Sequence, residues 1–387
     1  MQAVKLETEE EAFIGTSAIV QSTFTLPEDI KIYWAGSRIN AKRPCGRIIV
    51  ISKADIFCEG QLEKGTYVRE KILPISNRVP PTVKERNLTY HIRSEINMVK
   101  PEKGSEEEYF FAEAPILLKA MPTKPSEGAP VAVSLKGIKI DMEKDHFHPG
   151  ETIKLDYELE KFKDLEVDLV KDANVTCYCP NFAPTCIHIK PKPPSVEDSV
   201  KASSLTSGSL QLMLPSFIEL NHRYIWEPPE KTRWKETFGD YVNWMLEIIG
   251  TRISSEIVKL QIPIHIETEY NPEDSALFFS KQAKPPALQN ILVPDMIQTS
   301  AHELNGNKLT ITLRNDSKST LQGITVKIVP IESDFFELPP YLTGINEWEP
   351  TTEIQAVHRN VRENIKTFQL VIEDNRGNVI NKRLSLQ

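Results

Sequence analysis

Three cysteines and a histidine stand within twelve residues, in the run Cys177-Tyr178-Cys179 to Cys186-Ile187-His188. If residues 180–185 turn a hairpin, Cys179 opposes Cys186 and Cys177 opposes His188. All four side chains then share one face of the ladder, because residues two apart on a strand point the same way. Three thiolates and an imidazole form a suitable tetrahedral set for structural zinc. Such a metal would brace the hairpin and not catalyse, since four protein ligands leave no open position. The spacing departs from the C-x-x-C knuckle, and a Cys179–Cys186 disulfide or plain thiols fit the same residues.

Other reactive side chains are sparser. His146 and His148 flank Phe147 beside a turn, where solvated histidines are the ordinary reading. Arg38, Lys42, Arg43 and Arg47 crowd one stretch of an acidic chain. They would suit a phosphate or an acidic lipid headgroup, against the simpler reading of a solvated loop. Residues 226–249 hold Trp226, Trp234 and Trp244. As a helix, this stretch sets Trp234, Phe238, Tyr241 and Met245 on one face. As a strand, it turns Val242, Trp244, Leu246 and Ile248 inward. Across 226–238, Trp226, Trp234 and Phe238 form a candidate exposed aromatic loop for a protein partner or a bilayer surface. The chain has no G-x-S-x-G elbow, no G-x-x-x-x-G-K-[ST] loop, no H-E-x-x-H and no G-x-G-x-x-G after a strand. A non-enzymatic role is the expectation.

The elements that must position these residues repeat with period two. In 90–98, Tyr90, Ile92, Ser94, Ile96 and Met98 face one way and His91, Arg93, Glu95 and Asn97 the other, the pattern of a half-buried strand. Similar runs occur at 29–35, 47–57, 131–140, 152–159, 164–170, 256–267, 308–314, 323–330 and 366–372, parted by Gly, Pro, Asn and Asp. Residues 5–12 and 231–249 are the two candidate helices. Proline-rich stretches at 121–130 and 271–288 mark boundaries, and 191–208 reads as a long solvated loop. The expected organisation is all-β, with sandwiches over 1–125, 131–270 and 289–387.

The first two blocks repeat one grammar. Gly15-Thr16 and Gly150-Glu151-Thr152 each precede an alternating strand, and Asp29 and Asp164 each open the next, an offset of 135 residues in both cases. Leu73-Pro74 and Leu214-Pro215 then close a strand, and Tyr90 and Tyr241 lead another. With His148-Pro149-Gly150-Glu151, Val79-Pro80-Pro81-Thr82 and Leu212-Met213-Leu214-Pro215, this pattern over residues 1–270 resembles the arrestin fold, two related β-sandwiches in tandem. That resemblance implies adaptor work on cytoplasmic tails of receptors or transporters, and its relatives include the retromer cargo-binding subunit. The first strand has only Lys5 where animal arrestins carry paired lysines as phosphate sensors, and no match to their buried charged core is visible. Residues 289–387 resemble generic immunoglobulin-like accessory domains.

A net charge of −8 argues against broad nucleic-acid binding, which needs a positive field. The acidic start lacks the basic-then-apolar order of a signal peptide, and no stretch reaches the length of a membrane span. A cytoplasmic protein, with peripheral membrane contact at most, is the expectation. Its expected function is an adaptor or scaffold for protein tails, with a self-assembling coat protein as the alternative.

Overall fold

Alternation of apolar and polar side chains builds every layer of this molecule. The computed structural model describes residues 3–99, 107–122, 126–178, 193–227, 237–267, 272–283, 296–331, 339–359, 361 and 367–386. It is an all-β sandwich protein with one α-helix among those residues. Tyr90, Ile92, Ser94, Ile96 and Met98 are all buried, as their spacing requires.

The first sandwich comprises β1 (Val4–Thr8), β2 (Glu11–Phe13), β3 (Ser17–Leu26), β4 (Ile30–Lys42), β5 (Ile48–Phe57), β6 (Gly60–Leu62), β7 (Gly65–Pro74), β8 (Thr89–Val99) and β9 (Glu107–Lys119). One sheet runs β1-β3-β7, and the opposing layer runs β2-β9-β8-β4-β6, with β5 also on β4. Inside it the hydroxyls of Ser22, Ser37 and Ser94 close a buried triangle of hydrogen bonds, 2.7–3.0 Å long. These three polar groups therefore satisfy one another in an apolar core.

The second sandwich comprises β10 (Val131–Leu135), β11 (Ile138–Met142), β12 (His146–Phe147), β13 (Thr152–Leu159), β14 (Phe162–Tyr178), β15 (Ser195–Lys201), β16 (Ser207–Met213), β17 (His222–Trp226), β18 (Thr237–Arg252) and β19 (Ile257–Ile266). It repeats the topology of the first. β4 pairs with β8 and β14 with β18, while β3 pairs with β7 and β13 with β16. A short strand runs parallel to the last long one in each, β2 on β9 and β12 on β19. Gly15 and Gly150 both hold φ near +81°, a conformation that favours glycine. Their N–H groups donate to the carbonyls of Ile75 and Pro215, at 3.0 and 3.2 Å. The Leu-Pro pairs are thus where each copy's strand meets its turn.

The third sandwich comprises β20 (Ile297–Asn305), β21 (Lys308–Asn315), β22 (Leu321–Pro330), β23 (Tyr341–Trp348), β24 (Glu353–His358), β25 (Thr367–Glu373) and β26 (Val379–Ser385). Its larger sheet is continuous with the first sandwich. β23 runs parallel to β6, Leu342 beside Gly60 and Gly344 beside Leu62. Glycine is required there, since a Cβ on Gly60 would sit 2.1 Å from the Leu342 carbonyl oxygen.

Several expectations need correction. Residues 5–12 are not helical. Their Glu-rich composition suits a helix, but pairing of β1 with β3 buries Val4 and half-buries Leu6. Residues 131–140 are two strands, parted at Lys136-Gly137, both at positive φ. The stretch 191–208 contains β15, an edge strand exposed except at Val200, so its solvated composition hid a ladder to β14. The 271–288 boundary contains helix α1 (Pro272–Ala283), whose Phe278 packs edge-on against Phe13 of β2, 5.9 Å between ring centres. Residues 237–249 are strand, with Val242, Trp244, Leu246 and Ile248 buried.

Candidate functional site

The first sandwich has two lateral edges, and they are treated differently. On one side lie β6 and β7, which the third sandwich covers, together with β5, which among the described strands pairs only with β4. β23 takes the main chain of β6. Along β7, asparagine side chains stand in for a neighbouring strand. Val68 N–H donates to Asn375 Oδ1 at 2.8 Å, Asn375 Nδ2 donates to the Thr66 carbonyl at 2.8 Å, and Thr66 N–H donates to Asn346 Oδ1 at 3.3 Å.

Arg69 of β7 is fully buried in this seam. It donates to the carbonyls of Gly323 and Asp374, at 2.8 and 3.2 Å, and to Thr325 Oγ1 at 2.8 Å. Its Nε lies 3.6 Å from Glu373 Oε2. Burial lowers the Arg69 pKa and the charges of Glu373 and Asp374 oppose this, but a guanidinium stays charged throughout the usable pH range. Sequence reasoning missed Arg69. The signal was present: Tyr67, Arg69 and Leu73 share the inward register of β7, with a charge where an apolar residue is expected.

On the opposite side lie β1 and β9. Among the described residues no strand pairs with β9 on its outer side from Glu107 to Ile116, nor with the outer side of β1. Between them runs a groove of about 700 Å³. Leu6, Ala114 and Leu117 contribute apolar surface over the buried Tyr90 and Ile116, and Glu7, Glu9, Glu10, Lys84 and His91 line it as well. Tyr109 and Phe111 of β9 are exposed. The guanidinium of Arg93 lies 3.7 Å from the centre of the Phe111 ring and pairs with Glu95 at 3.1 Å. Ten residues of unpaired strand, of which residues 114–116 line the groove, make a place where an extended chain can be held by main-chain hydrogen bonds.

The seam between the first and second sandwiches is ionic. Arg86, in a short 3₁₀ turn (Lys84–Arg86), donates to both carboxylate oxygens of Glu219 at 2.9 and 3.1 Å, and to Asp240 Oδ2 at 2.7 Å. His222 also bonds Asp240 through Nε2, and Lys171 pairs with Glu219. Asp240 itself is fully buried.

The residues expected to bind partners are scattered by the fold. Trp226 and Phe238, expected in an exposed aromatic loop, are buried with their rings 5.4 Å apart in the first sandwich's core cluster. They join the two sandwiches because β17 and β18 carry their ends across the seam, and Trp234 lies outside the described residues. The four basic residues share no solvated loop. Arg38 pairs with Glu95 at 3.1 Å, Arg43 is buried, and only Lys42 and Arg47 are exposed. Of the zinc set, Cys179, Cys186 and His188 lie outside the described residues, as does the side chain of Cys177. The described β14–β15 ladder ends at Lys171 opposite Ser195, one residue out of the register which that hairpin assumes. Among the described residues no group of three or more His, Cys, Asp or Glu side chains is placed to hold a metal ion. His146 stacks on His265 with ring centres 4.6 Å apart and bonds Asp145 at 2.7 Å, and His148 Nδ1 meets the Glu267 carbonyl at 3.2 Å. Among the described residues no helix is long and apolar enough to cross a membrane. No protein-family model matches the chain, and no curated protein matches it.

Proposed function

We propose that this chain is a non-catalytic adaptor that holds an extended segment of another protein along the open edge of its first sandwich. The observation that carries this reading is the unpaired outer side of β9, whose residues 114–116 line the groove, on a sandwich whose β6 and β7 are covered by the chain's own third sandwich. Main-chain pairing would supply affinity, and the groove side chains would supply selectivity. The duplicated topology of residues 1–270 also supports the tandem arrestin-type reading, with adaptor work on cytoplasmic tails as its content. In that reading the seam at Arg86 and Asp240 fixes the second sandwich relative to the first.

Hydrogen exchange with and without captured partners tests it. Bound partner slows the amides of β9 between residues 109 and 116. Partners that protect only other surfaces overturn the edge as the site. The same open edge would serve a self-assembling coat, and light scattering separates the two: a concentration-independent monomer favours the adaptor, and large closed assemblies favour the coat.

A further inference from the structure

The acidity of this protein is concentrated on the open edge. Residues 5–11 hold one lysine and four glutamates, and residues 107–116 hold three glutamates and no cation. Each stretch therefore carries −3, so these two carry −6 of the chain's net −8. They are the two strands that flank the groove, together with the turn after β1. On the β1 side stand Glu7, Glu9 and Glu10, and on the β9 side Glu107 and Glu113 flank Tyr109 and Phe111. Nearby cations neutralise part of this: Lys5 pairs with Glu7 at 2.5 Å, Lys119 with Glu11 at 2.9 Å, Arg93 with Glu113 at 3.6 Å, and the exposed Lys84 lines the groove itself. Glu10, which lines the groove, and Glu107, at the far end of β9, remain exposed.

We propose that the segment held at this edge is basic: an extended chain in which apolar residues alternate with lysine or arginine. This rests on the edge reading above. An added strand turns alternate side chains to opposite faces. One set faces the apolar lining of the groove at Leu6 and Ala114. The other lies beside the glutamates and the exposed rings of β9, and Phe111 already accepts one guanidinium on its face. A phosphorylated or otherwise acidic segment meets like charge from Glu7, Glu9 and Glu10 in the groove and from Glu107 and Glu113 along β9, and is rejected. Because these charges are exposed, the selectivity weakens as salt rises.

The full chain is titrated with three fluorescent peptides of about ten residues, long enough to span the open part of β9. One alternates valine and lysine, the second replaces lysine by glutamate, and the third replaces lysine by phosphoserine. Fluorescence anisotropy reads affinity, and hydrogen exchange reads protection of β9 between residues 109 and 116. The expected result is protection by the basic peptide, with at least about tenfold tighter binding than either acidic peptide at low salt. In the triple variant E7K/E10K/E107K that preference disappears or reverses, while the fold, read by circular dichroism, is retained. Equal or tighter binding of an acidic peptide with the same protection overturns the charge preference and leaves the edge reading standing. If none of the three peptides protects β9, the edge reading fails and this proposal falls with it. Basic binding that protects other strands, or that survives the triple variant, overturns the proposal on its own.

Discussion

The two lateral edges of the first sandwich show two answers to one physical problem. A sheet edge presents unpaired N–H and C=O groups that recruit any available strand. At β6 and β7 the chain answers with its own third sandwich, using a parallel strand, two asparagines and a buried arginine. At β1 and β9 it answers with charge and exposed aromatic rings. The covered edge buries Arg69 and depends on geometry, so small changes there act on stability. The open edge is solvated, so changes there act on recognition and leave the fold largely intact.

The largest expected effect that would break this contrast is at Arg69. Arg69→Ala removes a buried cation and leaves the Gly323 and Asp374 carbonyls and the Glu373 carboxylate without it, at a cost of about 3–5 kcal/mol. Denaturant unfolding measures this, and a loss below about 1 kcal/mol would show that the seam contributes little. Gly60→Val comes next. The added Cβ meets the Leu342 carbonyl, so β6 and β23 must part, costing about 1–3 kcal/mol with faster exchange along both strands. Asn375→Ala, which strips two surrogate main-chain bonds from Val68 and Thr66, should cost about 1–3 kcal/mol in the same assay.

At the open edge the expected order reverses. Phe111→Ser should change stability by less than about 1 kcal/mol, because the ring is half exposed and stacks chiefly on Arg93. Binding of the basic peptide should nonetheless fall measurably, as anisotropy would show.

The smallest effect concerns Glu95, which holds Arg93 beneath that ring. Burial raises its pKa, against the pull of Arg38 and Arg93. The folded state therefore binds this proton more tightly than the unfolded chain does. The penalty is fully present above the raised value and fades as pH falls toward the ordinary glutamate range. Comparing wild type with Glu95→Gln by urea unfolding between about pH 4 and pH 8 should show their stability difference shrinking on the acid side.

How far the residues announce this structure differs from element to element. The strand over residues 89–99 and the one over 152–159 are legible directly, because one face is buried and the alternation is clean. The duplication is legible too, since Gly15 and Gly150 mark turns whose positive φ favours glycine. β15 is not, because a strand that packs a single residue, Val200, on the core has no apolar period to display. The helix–strand choice at residues 5–12 is likewise undecided locally: lysine and glutamate tolerate a helix, and only β3 alongside makes a strand the better partner.

The site was less visible than the fold. Trp226 and Phe238 look like contact residues because aromatics are common at interfaces, yet they fill a seam between two sandwiches. Arg38 and Arg43 look like one basic cluster because they are near in sequence, yet one faces Glu95 and the other is buried. The amino-acid sequence by itself determined most strand periods, the repeat and the excess of negative charge, all of which are carried by residue order and composition alone. Tertiary structure alone decided which edge is sealed and which is open, because Arg69 and Gly323, or Leu6 and Ile116, are far apart in sequence and acquire meaning only when folding brings them together.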